Sequence, residues 1–303
     1  MTLSPAQFFD LMRTQKTHVV VDDHHYKPCF ETKGYTVTHF DDYDFQADNV
    51  VFLIITTFEY QQKLKTLWQN TQGIIVLLSI AKFGATPMQL QYTLERVLSA
   101  DMQDVLTKRK QSYQLIESHD GELTLTAQKS KLRIELYDNI QVANFDEVLK
   151  SGWLYSIPEF FEASFVHTQE KCGGFNVNGH FYFDGLITVA SKREILENQK
   201  EALNALMTTV VNGHEKYLIV EDNKIQELHI DGINQSKLLS AFNFEAGREI
   251  MEMSFGCNQD VLKKLDWRVN SVANEGAYGM HIALGMAQTA PHIDFISTEL
   301  KLC

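Results

Sequence analysis

The sequence predicts an α/β unit with a parallel sheet, followed by an α+β unit built on antiparallel strands. Short apolar runs at His18 to Val21, Val50 to Thr56 and Ile74 to Ile80 show no polar alternation, as suits strands covered on both faces. The stretches between them have the length of crossover connections. Further along, Leu123, Leu125, Leu132, Ile134 and Leu136 alternate with polar residues, the pattern of hairpins.

Each element has a local reason. Ser4 can cap a helix with Pro5 at its first position, and Phe8, Phe9, Leu11 and Met12 give that helix an apolar side. Thr86 and Pro87 start a longer helix, with Leu90, Leu94, Val97 and Leu98 at helical spacing. The first unit is expected over residues 1–118 and the second over 119–303, with Asp120-Gly121 as a turn. Alternating segments follow at His180 to Val189, Tyr217 to Val220 and Ile225 to Ile230. Lys192 to Val211 reads as a helix with Ile195, Leu196, Ala202, Leu203 and Leu206 on its stripe, stopping at Gly213.

Composition narrows the function. With 27 basic against 39 acidic residues the net charge is −12, which would repel a phosphate backbone, so nucleic-acid binding is not expected. No apolar run approaches the roughly 20 residues that span a bilayer, and the N-terminus lacks a basic stretch followed by an apolar signal core, so no membrane association and a cytoplasmic protein are expected. Cys29, Cys172, Cys257 and Cys303 form no CxxC pair and are read as reduced thiols.

The chemistry concentrates near the C-terminus. His292 and Asp294, two apart in a strand, project from one face and could chelate a divalent ion such as zinc, iron, manganese or cobalt. His281 lies in a glycine-flanked, largely apolar segment where an imidazole needs a partner. Glu252, between Met251 and Met253, adds a carboxylate. His24-His25 is set aside as a solvated strand end, and Cys257 as a small buried hydrophobe.

Glu252 with the turn Phe255-Gly256-Cys257-Asn258, the run from Asn274-Glu275-Gly276 to His281-Ile282-Ala283-Leu284-Gly285, and the closing His292-Ile293-Asp294-Phe295 resemble the thermophilic metalloaminopeptidases of the aminopeptidase T type. The related 2,5-dihydroxypyridine dioxygenases share a similar scaffold. The resemblance implies a Rossmann-like first domain, a second domain holding divalent ions, removal of N-terminal residues from peptides, and a homodimer to which Leu300, Leu302 and Cys303 could contribute. It places Glu252, His281, His292 and Asp294 on metal-ligand positions, with Glu275 as the carboxylate that accepts a proton during hydrolysis.

The sequence departs from that family in several places. A tyrosine expected seven residues after His281 is Gln288, and the chain is short after the His292 strand. A further glutamate expected within Lys171 to Phe183 is missing, with Glu170 the nearest substitute. One ion rather than two, or none, is therefore expected, because paired ions need anionic oxygen between them. Two other functions follow. A catalytically lapsed relative would bind a peptide or small molecule, for example as a recognition partner in peptide modification. A mononuclear non-haem iron oxygenase would use His281, His292 and Asp294 as its triad.

Overall fold

The computed structural model describes residues 1–118, 121–138, 140–142, 147–167 and 174–302. Asp120, Glu170, Cys172 and Cys303 lie outside the described residues, as do the expectations placed on them. The chain is mixed α/β, with one parallel sheet and two large antiparallel sheets.

The three apolar runs form the strands His18–Val21, Val50–Ile55 and Ile74–Ser79, side by side and parallel. The sequence reading missed two flanking strands. Val37–His39 is three residues long and pairs with the first run, and Trp153–Ser156 pairs with Ile74–Ser79. This last strand comes from beyond residue 118, so the parallel sheet is completed by a later segment of chain. Its alternate residues feed separate apolar cores on the two faces: Val19, Val21, Phe52, Ile54 and Val76 on one, Val20, Leu53, Ile55 and Leu77 on the other.

The opening helix is Pro5–Arg13, held by a reciprocal cap between Ser4 and Gln7. Thr86 and Gln89 cap Pro87–Ser99 in the same manner. The hairpin expected after residue 118 pairs Glu122–Thr126 with Lys131–Leu136, and its turn lies at Ala127 to Ser130. The alternating stretch His180 to Val189 is the end of one strand, Phe175–Tyr182, and all of another, Gly185–Val189, which belong to different sheets.

A six-stranded antiparallel sheet positions the candidate site. Its order is Gly185–Val189, His292–Ser297, Gly279–Leu284, Ile250–Gly256, Glu162–Val166, Gln141–Val142. One face carries Ala163, Phe165, Met253, Phe255, Met280, Ile282, Ile293 and Phe295 into a core shared with the other antiparallel sheet and the helix Arg193–Asn212. The opposite face carries Ile187 and Ile296 into the core of the parallel-sheet unit. The candidate residues sit on this second face, between the two units.

Helix Pro87–Ser99 fastens the units together. Its Tyr92 hydroxyl donates to Asn274 Oδ1 at 2.7 Å, and its Thr93 hydroxyl meets Ser271 at 2.7 Å. Asn270 donates to Phe83 O at 3.0 Å and to Thr188 O at 2.7 Å while accepting from Thr188 N at 2.8 Å, so one side chain ties the parallel sheet's C-terminal edge to the edge strand of the site sheet.

Candidate metal centre

Strand pairing explains why these side chains converge. Ser254 lies opposite His281, and Glu252 opposite Ala283, which in turn lies opposite Asp294. Partners across an antiparallel pair share a face, so Glu252, His281, His292 and Asp294 all project toward the parallel-sheet unit. A bulge at Met251 is needed for this. Ile250 pairs with Leu284 and enters the second core, yet Glu252 pairs with Ala283 and faces the site. Without the extra residue, Ile250 and Glu252 would share a face.

Glycines permit the close approach of the supporting turns. A Cβ on Gly256 would stand 2.0 Å from Ala277 O, and one on Gly276 would stand 2.5 Å from the Phe161 side chain. The first keeps the Phe255 turn against Ala277. The second lets helix Val272–Glu275, capped by Ser271, lie beside Phe161 so that Glu275 enters the group.

A sixth residue joins them. Glu162 begins the strand Glu162–Val166 just after the short helix Pro158–Phe161, and its carboxylate shares the site face. Ligand atoms of Glu162, Glu252 and His281 lie within 4.8 Å of one another, as do those of Glu275, His281 and Asp294. Sequence reading did not single out Glu162; it sought a further carboxylate within Lys171 to Phe183, of which residues 171–173 lie outside the described residues. The available signal was Pro158 followed by a compact apolar strand, which marks an element boundary but carries no mark of chemistry.

The two histidines are set differently. His292 Nδ1 donates to Gly285 O at 2.8 Å, which orients the ring with Nε2 facing inward. His292 Nε2 lies 3.0 Å from Asp294 Oδ1 and 3.5 Å from Glu252 Oε2. His281 Nε2 lies 3.6 Å from Glu162 Oε2 and 3.6 Å from Glu252 Oε1. The Glu252 carboxylate thus turns one oxygen to each imidazole.

Many of these atoms lack hydrogen bonds. Glu162 Oε2, Glu275 Oε2, both ring nitrogens of His281 and both carboxylate oxygens of Asp294 are buried and unpartnered. Asp294 Oδ1 has His292 Nε2 at 3.0 Å without hydrogen-bond geometry, so the two atoms lie side by side rather than pointing at each other. Buried polar atoms without partners are costly, and a cluster of them aimed at common ground fits divalent cations. The donor set of carboxylate oxygens and imidazole nitrogens suits zinc, manganese, cobalt or iron.

The electrostatics agree with that fit. Burial, then the neighbouring carboxylates, push Glu162 and Glu275 well above the ordinary glutamate range. Glu252 would be raised by burial too, yet the nearby His281 and His292 and the Ser164 hydroxyl bring it down to about 2. For His292, burial favours the neutral ring, but the charges of Asp294 and Glu252 outweigh it and raise the imidazole to about 10. Lys82, which follows the strand Ile74–Ser79, is held below the usual lysine range by burial, partly offset by Glu275 and Glu159. Sequence reading missed it as well.

Other expected features fall elsewhere. Gln288 is exposed in a bend and contributes nothing to the group. Cys257 is buried, and burial raises its thiol to about 12, which suits an inert side chain. His24 lies in a short 3₁₀ helix rather than at a strand end and stacks on His39 with centroids 4.1 Å apart. Among the described residues no helix is long and apolar enough to cross a membrane.

A family profile described as "Crocagin biosynthetic protein CgnE/B" matches residues 14–302. A search of curated proteins returns no match. Among solved structures, wild-type AmpT from Thermus thermophilus is similar over 92% of this chain and 87% of that chain, with 11% identity and a TM-score of 0.50. The likeness shows an aminopeptidase-like fold.

Proposed function

The chain belongs to the crocagin biosynthetic protein CgnE/B family, and from that premise we propose that it is a metal-dependent, aminopeptidase-like hydrolase acting on a peptide or amide. The observation that carries this reading is the set of buried, unpartnered donor atoms on Glu162, Glu275, His281 and Asp294, on a fold shared with AmpT. A peptide-related substrate is consistent with a biosynthetic family. We read the parallel sheet as the Rossmann-like unit expected from the sequence, with residues 1–118 and the returning strand Trp153–Ser156 as its extent.

Two ions fit better than one. The expectation of a single ion rested on a missing carboxylate, and Glu162 supplies it. Glu162, Glu252, Glu275 and Asp294 carry four negative charges when ionised, which two divalent ions neutralise and one does not. The same count disfavours the non-haem iron oxygenase, whose triad needs only one carboxylate. Glu252, with an oxygen toward each histidine, would help to hold metal beside both of them.

When bound, the ions would supply Lewis acidity to a substrate carbonyl and lower the pKa of a water. The residues provide the rest. Glu275, which would ionise once bound cations offset the neighbouring carboxylates, accepts the proton of the attacking water and passes it to the leaving amine.

The test is metal analysis of protein purified without chelator, then hydrolysis of fluorogenic amino-acid amides after reconstitution with zinc, cobalt or manganese. About two equivalents of metal and turnover that falls at least ~100-fold in Glu275→Gln are expected. A protein that takes up no ion rules the reading out.

A second reading has its own observation. The tyrosine that the resemblance implies at position 288 is an exposed glutamine, Gln288, so a metal-loaded protein without turnover would be a lapsed relative that binds a peptide. Under it, calorimetry shows peptide binding unaffected by chelator.

A further inference from the structure

Ser164 and Ser254 sit beneath the candidate ligands, on the two strands that carry Glu162 and Glu252. They lie opposite each other in the sheet, and Ser254 also lies opposite His281. Both are buried. The Ser164 hydroxyl oxygen is 2.9 Å from Glu252 Oε1 and 2.6 Å from the Ser254 hydroxyl oxygen, while Ser254 has Ala163 O at 3.2 Å as its other acceptor.

Each hydroxyl has a single proton, and this limits the arrangement. The Ser164 hydroxyl donates to Glu252 Oε1 at 2.9 Å, which commits its one proton there. Two hydroxyl oxygens at 2.6 Å require a proton between them, which Ser254 alone can then supply. The chain therefore runs in one direction, from Ser254 to Ser164 to Glu252 Oε1.

Resting on the metal-dependent reading above, we infer that Ser164, oriented by Ser254, is a positioning residue that fixes the plane of the Glu252 carboxylate so that its two oxygens face the two histidines. Glutamate has more rotatable bonds than aspartate and, left alone, would swing toward either imidazole. The serine donor holds Oε1 at 2.9 Å while His281 Nε2 lies 3.6 Å from the same oxygen. Oε2 stays turned to His292 at 3.5 Å. Neither hydroxyl touches a reacting group, so the role is orientation of a ligand.

The experiment measures Co²⁺ affinity, by competition with a chromogenic chelator, and the visible absorption of the Co²⁺-loaded protein. Ser164→Ala is expected to weaken affinity by about 10–100-fold and to change the spectrum, with the thermal midpoint of the chelator-treated protein within a few degrees of wild type. Ser164→Thr, which restores a hydroxyl, should recover most of the affinity, and Ser254→Ala should fall between Ser164→Ala and wild type. A Ser164→Ala protein that binds Co²⁺ as wild type does, or one whose loss is matched by a large fall in the midpoint of the metal-free protein, overturns the positioning role. A wild-type protein that binds no Co²⁺ instead removes the metal-dependent reading on which the inference stands.

Discussion

Glu162→Gln separates the cost of the site from its purpose, because the structure predicts opposite effects with and without metal. Ligand atoms of Glu162 and Glu252 lie within 4.8 Å, where two like charges repel by about 3 kcal/mol at an effective dielectric constant of about 20. Replacing the carboxylate by its neutral isostere removes up to that much strain from the metal-free protein. At roughly 2–4 °C per kcal/mol, the midpoint in chelator should rise by as much as ~10 °C at pH 8. Burial and neighbouring carboxylates keep Glu162 protonated well above the ordinary range, so the gain shrinks as pH falls and vanishes near pH 4. With zinc at about 100 times its dissociation constant, the wild type should gain roughly 2.7 kcal/mol, and Glu162→Gln much less. Differential scanning calorimetry in chelator and in zinc reads both effects. A variant less stable than wild type in chelator at pH 8, or one with an undiminished zinc shift, refutes the argument.

Two further outcomes follow from the same geometry. In chelator, Glu162, Glu275 and His292 all bind protons more tightly folded than unfolded, so their contribution is present at low pH and lost as pH rises. For His292 that loss runs from about 6.5 to about 10, whereas Glu252, depressed to about 2, contributes above its unfolded value of 4.5 and loses this as pH falls. Denaturant unfolding at several pH values should therefore show metal-free stability declining through the alkaline range, and a flat or rising curve would contradict it. Asn270→Ala removes the side chain that satisfies Thr188 and Phe83 across the two units, and should cost about 1–3 kcal/mol in urea unfolding.

Much of the fold was legible because it rests on local signals. The Ser4 and Thr86 caps, the unalternating strands of the parallel sheet and the stop at Gly213 each follow from a few adjacent residues. The strands missed had weaker local signals. Val37–His39 has three residues, and Trp153–Ser156 is placed by its pairing with Ile74–Ser79 rather than by its own pattern. Asp294 and His292 could be set on one face from their spacing alone, since period two is a property of any strand.

The sequence by itself determined which donor chemistry is present and, through the run from Glu249 to Phe295, where most of it lies. Tertiary structure decided which carboxylates complete the group. Glu162 reaches Glu252 only through pairing of strands 90 positions apart, Glu252 faces inward only because of the bulge at Met251, and Lys82 comes from the opposing unit. Side-chain spacing along one strand is fixed by its backbone, whereas the neighbour across a sheet depends on register, and register is set by which apolar faces the whole chain can bury.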